Sequence, residues 1–204
     1  MKLPRWIFGA RPLVACVVLW TLPAGCTTFE QDAGGLDSRS ADVRRESALD
    51  LGRTTVTDAA LRARLIRRLA VLAQSDPDAL ARSAALNALS MQDPKEALDI
   101  AKRVRTDTSA MVRWDAVKVM AKTHDASLVP VLVELSENDT DANTRRESAR
   151  ALGKYDDPAS IAALIDRLED SDVSVAHAAR QSLTLISGGV DLGMKPEAWR
   201  KWLQ

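Results

Sequence analysis

Residues 144–153 read TRRESARALG and residues 43–52 read VRRESALDLG, the same RRESA written twice, 101 positions apart, with Leu-Gly closing both. The decapeptide recurs three more times in weaker form, as ARSAALNALS at 81–90, VRWDAVKVMA at 112–121 and VAHAARQSLT at 175–184. The starts at Val43, Ala81, Val112, Thr144 and Val175 are spaced by 38, 31, 32 and 31 residues. Self-similarity at such a period marks a solenoid, in which each unit buries its apolar face only against its neighbours.

Within a unit the apolar residues fall at helical spacing, as in Val112, Ala116, Val119 and Met120, or Ala149 and Leu152 followed by Ala163, Leu164 and Leu168. Two helices per unit are implied. Asp93-Pro94 and Asp157-Pro158 place an N-cap before a proline at the first helical position, and Asp125 keeps the cap alone. Asp76-Pro77 reads as a further opening of this kind, and Gly52 and Gly153 read as helix ends where φ > 0 is favoured. No alternating run of β-branched or aromatic residues bounded by hairpin turns occurs. The fold expected is all-α, an α-α superhelix of about four helical hairpins over residues 41–188. The first unit reduces to one helix, about 41–52, and residues 189–204 form a capping helix carrying Trp199 and Trp202 on one face.

The unit, Val-Arg-x-x-Ala-x-x-x-Leu-Gly followed by Asp-Pro, resembles HEAT repeats, and in particular the short variety named after phycobilisome lyases. The resemblance covers roughly 38–188. Asp76, Asp107, Asp139 and Asp170 stand five residues before successive repeat starts, and Arg44, Arg82, Arg113 and Arg145 stand one residue after them. By that resemblance these side chains form a hydrogen-bonded ladder between repeats, a geometry suited to guanidinium and carboxylate. Ser38 in the first unit and Ala176 in the last interrupt it, as end units lacking a neighbour should.

The N-terminus has a different composition. MKLPRWIFGARP carries Lys2, Arg5 and Arg11 with no carboxylate, LVACVVLWT is apolar, and LPAGC ends in small residues, which reads as a signal peptide over 1–25. The apolar run is shorter than the roughly 20 residues a membrane-spanning helix needs. Ala24-Gly25-Cys26 resembles a bacterial lipobox, with Pro23 where that motif carries an aliphatic residue. The resemblance implies lipidation of Cys26, and Thr27 after it implies outer-membrane or periplasmic rather than inner-membrane retention. Residues 26–40 read as a flexible tether of about 20 Å. With Cys16 in the signal peptide and Cys26 lipidated, no thiol remains for disulfides, catalysis or metal binding.

Removing residues 1–25 leaves 25 basic residues against 28 acidic ones, which argues against nucleic acid as a partner. No cofactor or metal is expected, and no enzymatic activity. His124 and His177, neither followed by Glu, fall short of the paired His-Glu ligands that a di-iron HEAT-like hydroxylase would need. Gly-rich phosphate loops and nucleophile elbows are missing as well.

The expected interaction surface is the second helix of each unit, which HEAT arrays present on their concave side. Offsets of two, six and ten from the repeat start point away from the core, because each residue turns about 100°. In the middle units these offsets hold Trp114, Lys118 and Lys122, then Arg146, Arg150 and Lys154. An aromatic residue among cations implies an anionic partner, an acidic protein segment, lipid headgroups or a polyanionic glycan, and a protein partner with an acidic surface is the expectation. The expected function is a lipid-anchored, non-catalytic scaffold at a bacterial envelope. An enzyme accessory related to the lyases or hydroxylases, and an inert spacer, are the alternatives.

Overall fold

Aspartate side chains accept backbone N–H groups at the starts of most of the helices: Asp58, Asp78, Asp93, Asp141, Asp157 and Asp172 each cap an α-helix, and Asp125 caps a single 3-10 turn over Ala126–Leu128. Each cap supplies an acceptor to donors that the first turn leaves unpaired. The computed structural model describes residues 33–203, and no strand occurs among them. The signal-peptide reading of 1–25, Cys26 and the tether up to residue 32 lie outside the described residues.

The helices are α1 (Ala41–Arg53), α2 (Ala59–Ser75), α3 (Ala79–Gln92), α4 (Pro94–Val104), α5 (Ala110–Met120), α6 (Val129–Asn138), α7 (Ala142–Leu152), α8 (Pro158–Arg167), α9 (Val173–Ile186) and α10 (Pro196–Trp202). They stack in two layers. In one layer α1 packs on α3, α3 on α5, α5 on α7 and α7 on α9. In the other α2 packs on α4, α6 on α8, and α8 on α10. Four hairpins, α2–α3, α4–α5, α6–α7 and α8–α9, bridge the layers, with α1 and α10 as unpaired helices at opposite ends. One continuous core runs between the layers from Leu51 and Leu69 through Leu89, Met120, Leu132 and Leu152 to Leu183 and Trp199.

Several local readings change. Asp76 is not an N-cap: α3 is capped by Asp78, and Asp76 closes α2 while its carboxylate accepts the Asp78 N–H at 2.8 Å. Gly52 and Gly153 do not take positive φ, since the glycines that do are Gly188, Gly189 and Gly193. A Cβ on Gly153 would stand 2.7 Å from the Cβ and 3.0 Å from the Cα of Ser182 on α9, and one on Gly52 would stand 2.9 Å from the Cα of Ala88 on α3. Gly153 is the C-cap of α7, at φ −61°, while Gly52 lies inside α1, so the repeated Leu-Gly serves close approach of successive second helices and not a left-handed helix end. Gly188 does end a helix: at φ 71° it donates to Leu185 O while Gly189 donates to Thr184 O at 2.8 Å, a Schellman closure of α9.

Residues 33–40, read as part of a tether, pack against the array instead. Leu36 is in the core and Asp37 pairs with Arg68. At the other end Trp199 is fully buried and donates its indole N–H to Gly193 O at 2.8 Å. Trp202 meets it edge-on at 6.2 Å but stays 40 % exposed, so a single indole, not a pair, seals the last hairpin.

Candidate interaction surface

Two edges of the second-helix layer carry the residues that the sequence singles out, and they behave differently. Along the turns, Arg113 donates from Nε and Nη2 to both carboxylate oxygens of Asp139 in the next unit, each at 2.7 Å. Its Nη1 reaches back to the Asp107 carbonyl at 2.9 Å. Arg44 grips Asp76, Arg82 grips Asp107 and Arg145 grips Asp170 through the same two nitrogens, at 2.6–3.0 Å. Each aspartate also accepts the N–H two residues on, at 2.8 or 2.9 Å. A guanidinium thus clamps its own turn to the following one, four times over.

Burial pushes the Asp76, Asp107, Asp139 and Asp170 carboxyls up, but the arginine hydrogen bonds, the backbone N–H groups and the neighbouring positive charges outweigh it. All four are held below the ordinary aspartate value. Hydrogen bonds to these carboxylates hold Arg82, Arg113 and Arg145 above theirs, against the pull of burial.

The outward face of the same helices lacks this regularity. On α5, Lys118 lies over the Trp114 ring with Nζ 4.3 Å from its centroid, and bonds Asp115 at 3.1 Å. Arg150 pairs with Glu147 at 3.6 Å. Lys122 reaches Ser90 Oγ at 3.0 Å and Lys154 donates to the Ala121 carbonyl, both in the preceding unit. Arg146 makes one side-chain hydrogen bond among the described residues, to Ser174 Oγ at 3.5 Å, and its buried Nε has no partner among them. Neither does the Trp114 indole N–H. Lys122, Arg146 and Lys154 have no carboxylate partner among the described residues, whereas Lys118 and Arg150 are locally neutralised.

Trp114 and Arg146 share a depression of about 360 Å³ with Ala110, Met111, Asp141 and Asn143, where the first turns of α5 and α7 lie side by side. Met111 is 43 % exposed there. The three-offset reading missed Met111 and Asn143 because it began two residues after the repeat start. The position one residue before it lies three residues from offset two and falls on the same helical face. Leu80 occupies that position in the preceding unit and is also exposed. His124 and His177 are exposed and separate, and no group of three metal-ligating side chains occurs among the described residues.

Two layers of helices joined as successive hairpins with an inter-turn ladder define an α-solenoid. Residues 99–184 match the family model of HEAT repeats. Among solved structures, the Escherichia coli protein YibA superposes with a TM-score of 0.70 at 18 % identity, covering 79 % of this chain and 60 % of its own. An engineered protein superposes at 0.55 with 21 % identity, covering 78 % and 79 %. This chain therefore spans about 60 % of the length of YibA. No curated protein matches the sequence. Residues 99–184 thus carry HEAT repeats, and the described residues fold as a HEAT-like α-solenoid, a kind of fold suited to a protein-interaction scaffold.

Proposed function

We propose that this protein is a non-catalytic adaptor that holds an acidic segment of a partner protein against the outward face of α5 and α7. One observation carries the reading: the Met111–Trp114–Arg146 depression joins exposed apolar surface at Met111 to an arginine that has no carboxylate partner among the described residues. Aromatic and arginine side chains together are the composition of interface hot spots. A partner carboxylate would meet Arg146, while an apolar side chain beside it would cover Met111 and Trp114; Lys122 and Lys154, about two turns further along the same face, would meet further acidic residues of the segment. Lys118 and Arg150 keep a subsidiary role, because Asp115 and Glu147 already neutralise them.

The adaptor is anchored by lipid on Cys26 at the bacterial cell envelope, on the outer-membrane or periplasmic side; the pattern of residues 1–26 supports this part of the reading. Metabolic labelling with a fatty-acid analogue tests it, and Cys26→Ser should abolish the label.

Photo-crosslinking in cells tests the surface. A crosslinking residue at Met111 should give a discrete adduct, and one at the exposed Ala162 on α8 should not. Arg146→Glu should remove the adduct without unfolding the chain. Adducts from both positions, or one indifferent to Arg146→Glu, would contradict the assignment.

A further inference from the structure

The first-helix layer has its own anomaly at its N-terminal end. Helix α2, AALRARLIRRLAVLAQS, carries four arginines and no carboxylate, whereas α6 in the same layer carries two glutamates and no basic residue. Arg64, Arg67, Arg68 and Val71 stand at i, i+3, i+4 and i+7, one stripe on the side of α2 turned away from Leu65, Leu69 and Ala73 in the core. Arg64 and Arg67 are exposed, neither has a carboxylate partner among the described residues, and Val71 is 63 % exposed between them and the end of the helix. A cationic stripe with an aliphatic tip complements a surface that is anionic outside and apolar beneath.

The course of the chain identifies that surface. Leu36 and Asp37 line a depression of about 410 Å³ together with Arg64, Arg67, Arg68, Val71 and Leu72, so the chain reaches the array beside this stripe. Cys26 lies seven residues before Ala33, within about 25 Å of contour. We propose that the outer stripe of α2 docks on anionic lipid headgroups. The inference rests on the lipid-anchor reading above. Docking through the first-helix layer lays the N-terminal end of the solenoid on the bilayer and turns the opposite layer, with Trp114 and Arg146, toward the aqueous side.

The test uses the mature lipidated chain carrying Val71→Cys or Leu185→Cys, each labelled with an environment-sensitive fluorophore. Leu185, 68 % exposed near the C-terminal end, is the control. The protein is reconstituted into phosphatidylcholine vesicles with or without phosphatidylglycerol, both containing a headgroup-linked quencher. Quenching at 71 is expected only with phosphatidylglycerol, reversed by salt, lost in Arg64→Glu/Arg67→Glu and retained in Arg64→Lys/Arg67→Lys; none is expected at 185. Equal quenching at 71 and 185, quenching indifferent to phosphatidylglycerol or to the double reversal, or shielding of 71 by an acidic protein instead of lipid would each overturn the proposal. Mass spectrometry of the N-terminal peptide reports lipidation of Cys26 separately, so failure of the anchor is distinguished from failure of the stripe. Circular dichroism checks that the reversed variant is folded.

Discussion

Arg145 and Arg146 are neighbours in one helix and belong to different machines. Arg145 places three nitrogens on fixed acceptors and repeats the geometry of Arg44, Arg82 and Arg113. Arg146 makes one hydrogen bond among the described residues, at 3.5 Å, and the residues at its register in other units are Arg45, Ser83, Trp114 and His177. In a stacked array each unit must meet the next in the same way, so positions that build the interface repeat. Positions that meet something else have no reason to. The comparison teaches that internal repetition marks the clamp and internal variation marks the surface.

The largest expected effect lies on the repeated side. Arg113→Leu leaves Asp139, whose side chain is 2 % exposed, without its cation, and should cost about 3 kcal/mol. Urea unfolding followed by circular dichroism should show a lower midpoint, and separate transitions for the two halves if the clamp is what keeps the array cooperative. A loss below about 0.5 kcal/mol would reduce the ladder to decoration.

Next comes Gly153→Ala. Its Cβ would press on Ser182, and overpacking of this kind costs about 1–3 kcal/mol. Combining it with Ser182→Gly should recover part of the loss, because two of the three colliding atoms belong to the serine side chain. Additive losses would show that Gly153 is needed for some other reason.

Acid should separate the two regions further. The four ladder carboxyls have folded-state pKa values below their unfolded ones, so their contribution is fully present above the unfolded value of about 3.9 and is lost as pH falls through the lower folded values. Between those limits the unfolded chain binds more protons, and stability rises with pH. The slope of unfolding free energy against pH in this acid range should flatten in Asp139→Asn and stay unchanged in Arg146→Leu. Equal slopes would mean that other carboxylates govern acid unfolding.

The smallest effect on stability, and the largest on binding, belongs to the outward face. Arg146→Leu keeps the aliphatic stem over its neighbours and should move the unfolding free energy by no more than about 0.5 kcal/mol.

Much of the architecture is readable in the sequence because a 31- or 32-residue period, aspartate caps and two fixed charge registers each carry a physical requirement. The glycines show where such reading stops. Gly52 and Gly153 look like helix ends, and only the distance to Ala88 and Ser182 reveals that they admit a neighbouring helix. The proposed interaction surface was half legible for a similar reason. Helical angle identifies which side chains point outward, but whether a lysine is already spent on Asp115, Ser90 or the Ala121 carbonyl depends on the neighbouring unit. Met111 escaped because a lone exposed methionine carries no signal until Trp114 and Arg146 are seen around it.

The most direct measurement of the central claim is the urea midpoint of Arg145→Leu beside that of Arg146→Leu, two identical substitutions one residue apart. A large fall for the first and an unchanged midpoint for the second is the predicted result. Equal falls would contradict the division between a repeated clamp and a variable face.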